Sequence, residues 1–337
     1  MVGMTYGSRP TIDDVARAAG VSRATASRVI NDAPGASGVL RQRVRQAVAD
    51  LGYRPNEIAR ALASGRQRAV DLIAVIDNPD LSLGAHPYYS RVLAGVMTAL
   101  ESINVQLRVQ VAAEDDPVSA IDAIAGDLTV GAILANGSPE LAARLHQRSH
   151  KVVSLVPTAT SVPAVEADNI GGAYAAVQHL HSLGRRRIAA IHGPDRNTCA
   201  IARRIGYRRA ISVFRLRDLN TAGDFTREGG HAAALRLIEA YPDIDGMFVA
   251  CDLMAAGAIQ AITVTGRRVP HDVSVVGFDD SVVSICTNPL LTSMRLPTEE
   301  MATAATRMLL TGTITPGHRQ RFPVVLVERD STSRRDR

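Results

Sequence analysis

Apolar residues recur at helical spacing along the first fifty positions. In TIDDVARAAGVSRATASRVIN (residues 11–31), Ile12, Val15, Ala16 and Ala19 fall at i, i+3, i+4 and i+7, one face of a helix. Thr11 stands where a helix is capped, and Asp14 three residues on closes a capping box. Gly20 stops that helix, Ser22 caps a second, and Ala26, Val29 and Ile30 form the second helix's buried face. Leu40, Val44, Ala47, Val48 and Leu51 predict the buried face of a third helix, whose other face carries Arg41, Arg43 and Arg45. Three short helices, the first two joined by a tight turn, predict a helix-turn-helix unit over residues 1–55. LGYRPNEIARALASGR (51–66) passes Pro55 and restarts as a short helix with Ile58, Ala59 and Leu62 on one side, a hinge over 56–69 too short to be stable alone.

From residue 70 the period changes. VDLIAVI, GAILAN, KVVSLV, RIAAIHG, GMFVAC and VSVVGFDD are short apolar runs separated by longer helical patterns such as 90–103 and 170–183. Strand and helix alternating in this way predict parallel sheets built from βαβ units, with ligands held beyond the carboxyl ends of the strands. FPVVLVERD reads as the last strand-like run.

Charge separates the two regions. Residues 1–70 carry eleven arginines against five acids, a net +6 on a chain whose total is +5. A cationic excess confined to one end is the footprint of a polyanionic partner. With the second helix turned outward, Arg23, Ala24, Thr25, Ser27, Arg28 and Asn31 are presented at its N-terminal end and exposed side. In the major groove an arginine makes two hydrogen bonds to guanine and an alanine touches a thymine methyl, while hydroxyls and the helix N-terminus suit phosphates. A hinge helix that folds only when docked places an apolar side chain such as Leu62 to wedge between base pairs in the minor groove, although an ordinary linker helix fits the pattern equally.

The chain is long enough for two or three compact units, and 46% hydrophobic residues supply their cores. The first ten residues lack the apolar stretch of a secretion signal, and no apolar run reaches membrane-spanning length, so a cytoplasmic, nucleoid-associated protein is expected. Cys199, Cys251 and Cys286 show neither metal-ligand nor disulfide spacing. HExxH, GxGxxG and Walker patterns are absent, HGPDRN is a loop without a nucleophile elbow, and Asp279 and Asp280 are too close in sequence to serve as an acid–base pair. The reading is of a protein that is not an enzyme and holds neither metal nor cofactor.

TIDDVARAAGVS…ASRVIN…RVRQAVADLGYRPNEIARAL resembles the DNA-binding head and hinge of the LacI/GalR (lactose-repressor) family of bacterial transcription regulators. DNIGGAYAAVQHLHSLGRRRIAAIHG, RRIGYRRAI, FTREGG, CDLMAAGAIQAI, VPHDVSVVGFDD and PLLTSMRLPTEEM resemble that family's effector-binding core, in family order. The resemblance implies a two-lobed α/β core like that of periplasmic binding proteins. Crossings between lobes fall near 168, 296 and 321, which gives one lobe from 70–167 and 297–320 and the other from 168–296 and 321–337. It implies a homodimer on a palindromic double-stranded DNA operator and a small-molecule effector in the cleft, most simply a sugar. The alternative is a regulator that works without an effector or with a purine or nucleoside co-repressor. Thr11, Tyr53, Asn56 and Leu62 join the expected DNA contacts. Asp279, at a strand end, matches an effector contact; Arg203 matches an arginine that grips the effector; Tyr88 matches an aromatic bordering it, with His86 and Tyr89 nearby. Asp168 and Asn169 lie at a crossing within reach of the cleft, and Cys251 and Asp252 open the helix after GMFVA; Asp168, Cys251 and Asp252 are expected among the effector contacts.

Departures from the family pattern are also informative. Cys251 replaces a common asparagine, Ala26 replaces a usual valine, and the stretch before RQRV lacks a common threonine. The charged tail has no heptads, so a dimer is expected rather than a tetramer.

Overall fold

The computed structural model describes residues 10–30, 35–53, 67–76, 83–84, 86–113, 117–312 and 314–334. The chain divides into two compact units, Met1–Arg68 and Ala69–Arg337.

The first unit contains α1 (Ile12–Ala19), α2 (Arg23–Ile30) and α3 (Gly38–Leu51). The capping box forms: Asp14 N–H donates to the Thr11 hydroxyl at 3.3 Å, and Thr11 N–H donates to the Asp14 carboxylate at 2.9 Å. Gly20 ends α1 in the left-handed region at φ 61°, which a side chain would strain. Thr25 N–H donates to the Ser22 hydroxyl at 3.1 Å and caps α2. Val15, Ala19, Val29, Val44 and Ala47 make the core, against which Ile30, Val48 and Tyr53 pack. Leu51 departs from expectation, being exposed, and Leu40 is only half-buried. At ~1.5 Å per residue the fourteen residues of α3 overhang the eight-residue helices beneath it, and its ends find no cover.

The second unit holds two six-stranded sheets. The first runs β11 (Arg319–Phe322), β5 (Ala164–Ala167), β4 (Val152–Ser154), β3 (Gly131–Ala135), β1 (Ala69–Ile76) and β2 (Gln106–Ala113), all parallel. The second runs β12 (Val325–Val327), β10 (Thr292–Arg295), β9 (Ser274–Asp279), β8 (Gly246–Val249), β6 (Ile188–His192) and β7 (Leu219–Ala222), parallel except for β12. The helices between them are α4 (Pro87–Leu100), α5 (Pro117–Asp127), α6 (Pro139–Ser149), α7 (Asn169–Ser182), α8 (Thr198–Phe214), α9 (Arg227–Ala240), α10 (Asp252–Val264) and α11 (Thr298–Thr311).

The chain passes between sheets after β5, after β10 and after β11. Arg321 and Phe322 still pair with β5, so the third crossing lies at 323–324 rather than at 321. FPVVLVERD is therefore not one strand: Pro323, which has no N–H to donate, separates β11 in one sheet from β12 in the other. Strand β2, whose QLRVQVAA alternates polar and apolar, was not singled out by its pattern. Its Arg108 and Gln110 reach Asp71, wholly buried in β1, at 2.8 and 2.7 Å and satisfy that carboxylate.

Helix pairs meet through glycine. A Cβ on Gly95 of α4 would lie 2.2 Å from the Glu299 carbonyl oxygen of α11, and one on Gly206 of α8 would lie 2.2 Å from the Ile170 carbonyl oxygen of α7.

His192, at the end of β6, is 2% exposed and neither ring nitrogen has a hydrogen-bond partner among the described residues; its ring meets Tyr207 edge-on at 5.2 Å. Burial, reinforced by Arg204, pushes its pKa down to about 4. The unfolded chain therefore binds the extra proton between about pH 6.5 and 4, so this group's contribution to stability is complete above 6.5 and declines as pH falls through that window. The loss should reach about 3 kcal/mol at full protonation. Urea unfolding at pH 7 and pH 4.5 should show it in the wild type and a smaller drop in His192→Phe; equal drops would exclude His192 as the cause.

Candidate functional site

At the carboxyl ends of both sheets, where strand order reverses on either side of β1 and β6, lies a cavity of about 490 Å³. The first lobe lines it mostly with apolar groups: Ile76 at the end of β1, Leu155 and Val156 after β4, Ala167, and Met301 from α11. The second lobe supplies most of its polar side chains: Asn169, Asp195, Arg196, Asn197, Arg203, Asp224 and Asp279, with Cys199, Cys251 and Phe225.

Arg203, 4% exposed, is held on every side. Its Nε donates to Asn169 Oδ1 at 2.8 Å, Nη1 donates to the Ala250 carbonyl, Nη2 lies 3.3 Å from Asp279 Oδ1, and its guanidinium sits 3.8 Å above the Phe278 ring. The arginine thus holds Asp279 as well as bordering the cavity. Burial raises the Asp279 carboxyl against the opposing pull of Arg203 and Arg91.

Asp279 has φ 106°, and Asn136 and Phe225, both on the cavity wall, have φ 63° and 65°. Left-handed backbone in non-glycine residues costs on the order of 1–3 kcal/mol each and gathers where function needs it.

Tyr88 borders the cavity, and its buried hydroxyl has no hydrogen-bond partner among the described residues. Tyr89 also borders it, but its hydroxyl donates to the Val75 carbonyl at 2.5 Å. His86 caps α4, its Nδ1 accepting from Tyr88 N–H at 3.2 Å, and burial lowers its pKa. Cys251 lies on the wall with its sulfur accepting from Met254 N–H at 3.5 Å, and burial keeps the thiol protonated.

Asp168 and Asp252, expected as effector contacts, are not among the residues that line the cavity. The Asp168 carboxylate caps α7, accepting from Gly171 N–H at 3.0 Å, and the neighbouring Asn169 reaches the cavity instead. Asp252 is 1% exposed and accepts from Ser281 N–H at 2.6 Å, the Ser281 hydroxyl at 3.0 Å and the Ser293 hydroxyl at 2.5 Å, a bracket behind the wall. Burial, then the charge of Asp279, pushes its carboxyl up to about 7.

The sequence reading missed Asn136 and Asn197. Asn197 caps α8, and its amide also donates to Asn136 Oδ1, joining the two lobes across the cavity. The available signal was positional: Asn136 follows β3 directly, and Asn197 lies in the turn-forming segment between β6 and α8. Among the described residues, no three His, Cys, Asp or Glu side chains gather as metal ligands would.

In the first unit, Ser22, Arg23, Ala24 and Arg28 are exposed, and Thr25 and Ser27 are half-buried on the same helix. Arg23 Nε lies 3.6 Å from Asp13 Oδ1, an exposed pair that leaves the guanidinium available. Thr11 is occupied by its capping box and the Tyr53 ring packs on the helical core. Asn31, Asn56 and Leu62 lie outside the described residues.

Residues 11–56 match the family model of bacterial regulatory proteins of the lacI family, and residues 177–332 match that of the periplasmic binding protein-like domain. The transcriptional regulator CelR of Thermobifida fusca is 36% identical over 312 residues, covering 90% of this chain and 91% of that protein. The chain belongs to the LacI family. The lactose operon repressor of Escherichia coli is 30% identical, covering 96% of this chain and 90% of that protein. A solved CelR–cellobiose complex matches with a TM-score of 0.71 at 34% identity, covering 96% of this chain and all of that one. A lac repressor dimer bound to operator and an anti-inducer matches with a TM-score of 0.73 at 27% identity, covering 97% of this chain and all of that one. This LacI-family chain is a DNA-binding transcriptional regulator and not an enzyme. Among its described residues no helix is long and apolar enough to cross a membrane.

Proposed function

We propose that the chain is a repressor that binds a near-palindromic operator as a homodimer, in the cytoplasm on the nucleoid, and changes its DNA affinity when an uncharged sugar enters the cavity. The observation that carries the effector reading is the cavity itself. Asp279 and Tyr88, whose hydroxyl has no hydrogen-bond partner among the described residues, border one cavity whose lining is mainly apolar and suited to the C–H faces of sugar rings. The solved complex of a relative with cellobiose supports the same class. Tyr88 and Tyr89 meet at an interplanar angle of 70°, so they form no parallel pair to sandwich a purine.

Coupling between effector and operator of about 1–3 kcal/mol is expected, of either sign. A thermal-shift screen with cellobiose, other mono- and disaccharides, sugar phosphates and nucleosides tests the class. A ligand at a hundred times its Kd adds about 2.7 kcal/mol to the domain it binds. A shift with nucleosides and none with sugars would overturn the reading in favour of a co-repressor.

The DNA-reading residues we propose are Arg23 and Ala24 for base edges, and Ser22, Thr25, Ser27 and Arg28 for phosphates and neighbouring positions. Thr11, Asn31, Tyr53 and Asn56 complete the proposed contacts, with Leu62 as the hinge wedge. Arg23→Ala should relax preference at one position per half-site by about 1–3 kcal/mol in a selection from random-sequence DNA. A uniform loss over all sequences would reassign Arg23 to the phosphate backbone.

A further inference from the structure

Asp279 holds a left-handed backbone, and its carbonyl oxygen carries two hydrogen bonds: one from Leu296 N–H at 3.2 Å and one from Arg91 Nη1 at 2.7 Å. Arg91 belongs to the other lobe, on α4, one turn beyond the cavity-lining Tyr88. The rest of its guanidinium is spent on the first lobe and the crossing. Nε and Nη2 each donate to one carboxylate oxygen of Glu299 at 2.7 Å, and Nη2 also donates to the Leu296 carbonyl at 2.8 Å. These four bonds use most of the five N–H groups a guanidinium has, and the side chain is only 17% exposed.

These bonds are unequal in what they join. Glu299 opens α11, which packs against α4 closely enough that Gly95 admits no Cβ, and Thr303 donates to the Gly95 carbonyl at 2.9 Å. The Arg91–Glu299 fork therefore lies within one rigid pair of helices. The bond to the Asp279 carbonyl is the one that crosses from this pair to the second sheet, and it ends on the residue whose carboxylate faces the cavity.

We infer that Arg91 is a positioning residue: it holds the Asp279 peptide in its left-handed conformation, aims the carboxylate into the cavity, and ties that carboxylate to α4. The inference rests on the effector reading of the cavity. Arg91 is not among the residues that line the cavity. A residue that merely staples α4 to α11 would act through Glu299 alone. One that positions Asp279 acts through the carbonyl bond, which a change at Glu299 leaves in place.

The test uses the full chain with Arg91→Met and Glu299→Gln, read in two ways. Without ligand, hydrogen–deuterium exchange reports the Leu296 amide, which donates to the same carbonyl. With ligand, thermal shift gives the half-saturating concentration of whichever sugar, cellobiose first, stabilises the wild type. Arg91→Met should speed exchange in the peptide spanning Leu296 on the order of tenfold and raise half-saturation by a similar factor, the worth of one hydrogen bond from a charged donor. Glu299→Gln should change neither by more than about threefold. Equal effects of the two variants, or wild-type exchange in Arg91→Met, would overturn the inference. If Arg91→Met does not fold, Arg91→Lys replaces it with the same expectation, because one ammonium cannot span Glu299 and both carbonyls. If no ligand shifts the wild type, the effector reading fails, while the exchange measurement still decides what Arg91 does.

Discussion

Asp279→Asn is expected to weaken the response to effector while leaving operator affinity unchanged. The amide tolerates the left-handed backbone at this position and can still offer an oxygen to Arg203, so the fold and the Arg203 contacts survive. The atom facing the cavity becomes a donor where a sugar hydroxyl needs an acceptor. Loss of a hydrogen bond to a charged group is worth about 1.5–3 kcal/mol, a rise of roughly ten- to a hundredfold in effector Kd. Titrating the variant's operator complex with an effector that acts on the wild type checks this. A response with wild-type half-saturation would remove Asp279 from the site. Parallel loss of DNA binding would point to misfolding instead.

For Asp252 the largest effect should fall on stability. Asp252→Ala would strand the Ser281 N–H and the hydroxyls of Ser281 and Ser293 in a place closed to water. The hydroxyls can turn elsewhere, but the amide cannot, and the expected loss is about 2–4 kcal/mol. Asp252→Asn should cost far less. Because burial and the charge of Asp279 push the carboxyl up to about 7, a neutral group of the same shape resembles a form the acid itself adopts near neutral pH. Chemical unfolding of both variants, beside their effector affinities, separates the bracket from a ligand contact. An alanine variant of wild-type stability that has lost only effector binding would restore the contact that family resemblance implied.

The family resemblance carried Asp252 and Asp168 together with Asp279 and Arg203, yet only the latter two reach the cavity. Asp168, Asp252 and Asp279 all sit at strand ends or helix starts, where a polar side chain either caps a helix or faces a ligand. Sequence position is the same for both outcomes. Asp168 turned to the N-terminus of its own helix and Asp252 to a serine pair from β10 and the loop after β9, and the choice depended on which donors the fold brought near.

What this sequence determined by itself was local: the Thr11–Asp14 capping box, the stop at Gly20, the buried Val15, Val29 and Val44, and the alternation of apolar strands with helices that implies two parallel sheets. Each depends on residues within a turn or two of one another, and such spacing is written directly in the chain. Only the tertiary structure decided the split of 319–327 between two sheets, the satisfaction of Asp71 by its neighbouring strand, the Asn136–Asn197 bridge and the hold of Arg91 on Asp279. Those features join positions from about forty to nearly two hundred residues apart, and no local period encodes them. The Asn136–Asn197 bridge and the Arg91 bond exist because two sheets bring their carboxyl ends together and leave polar groups to find partners there.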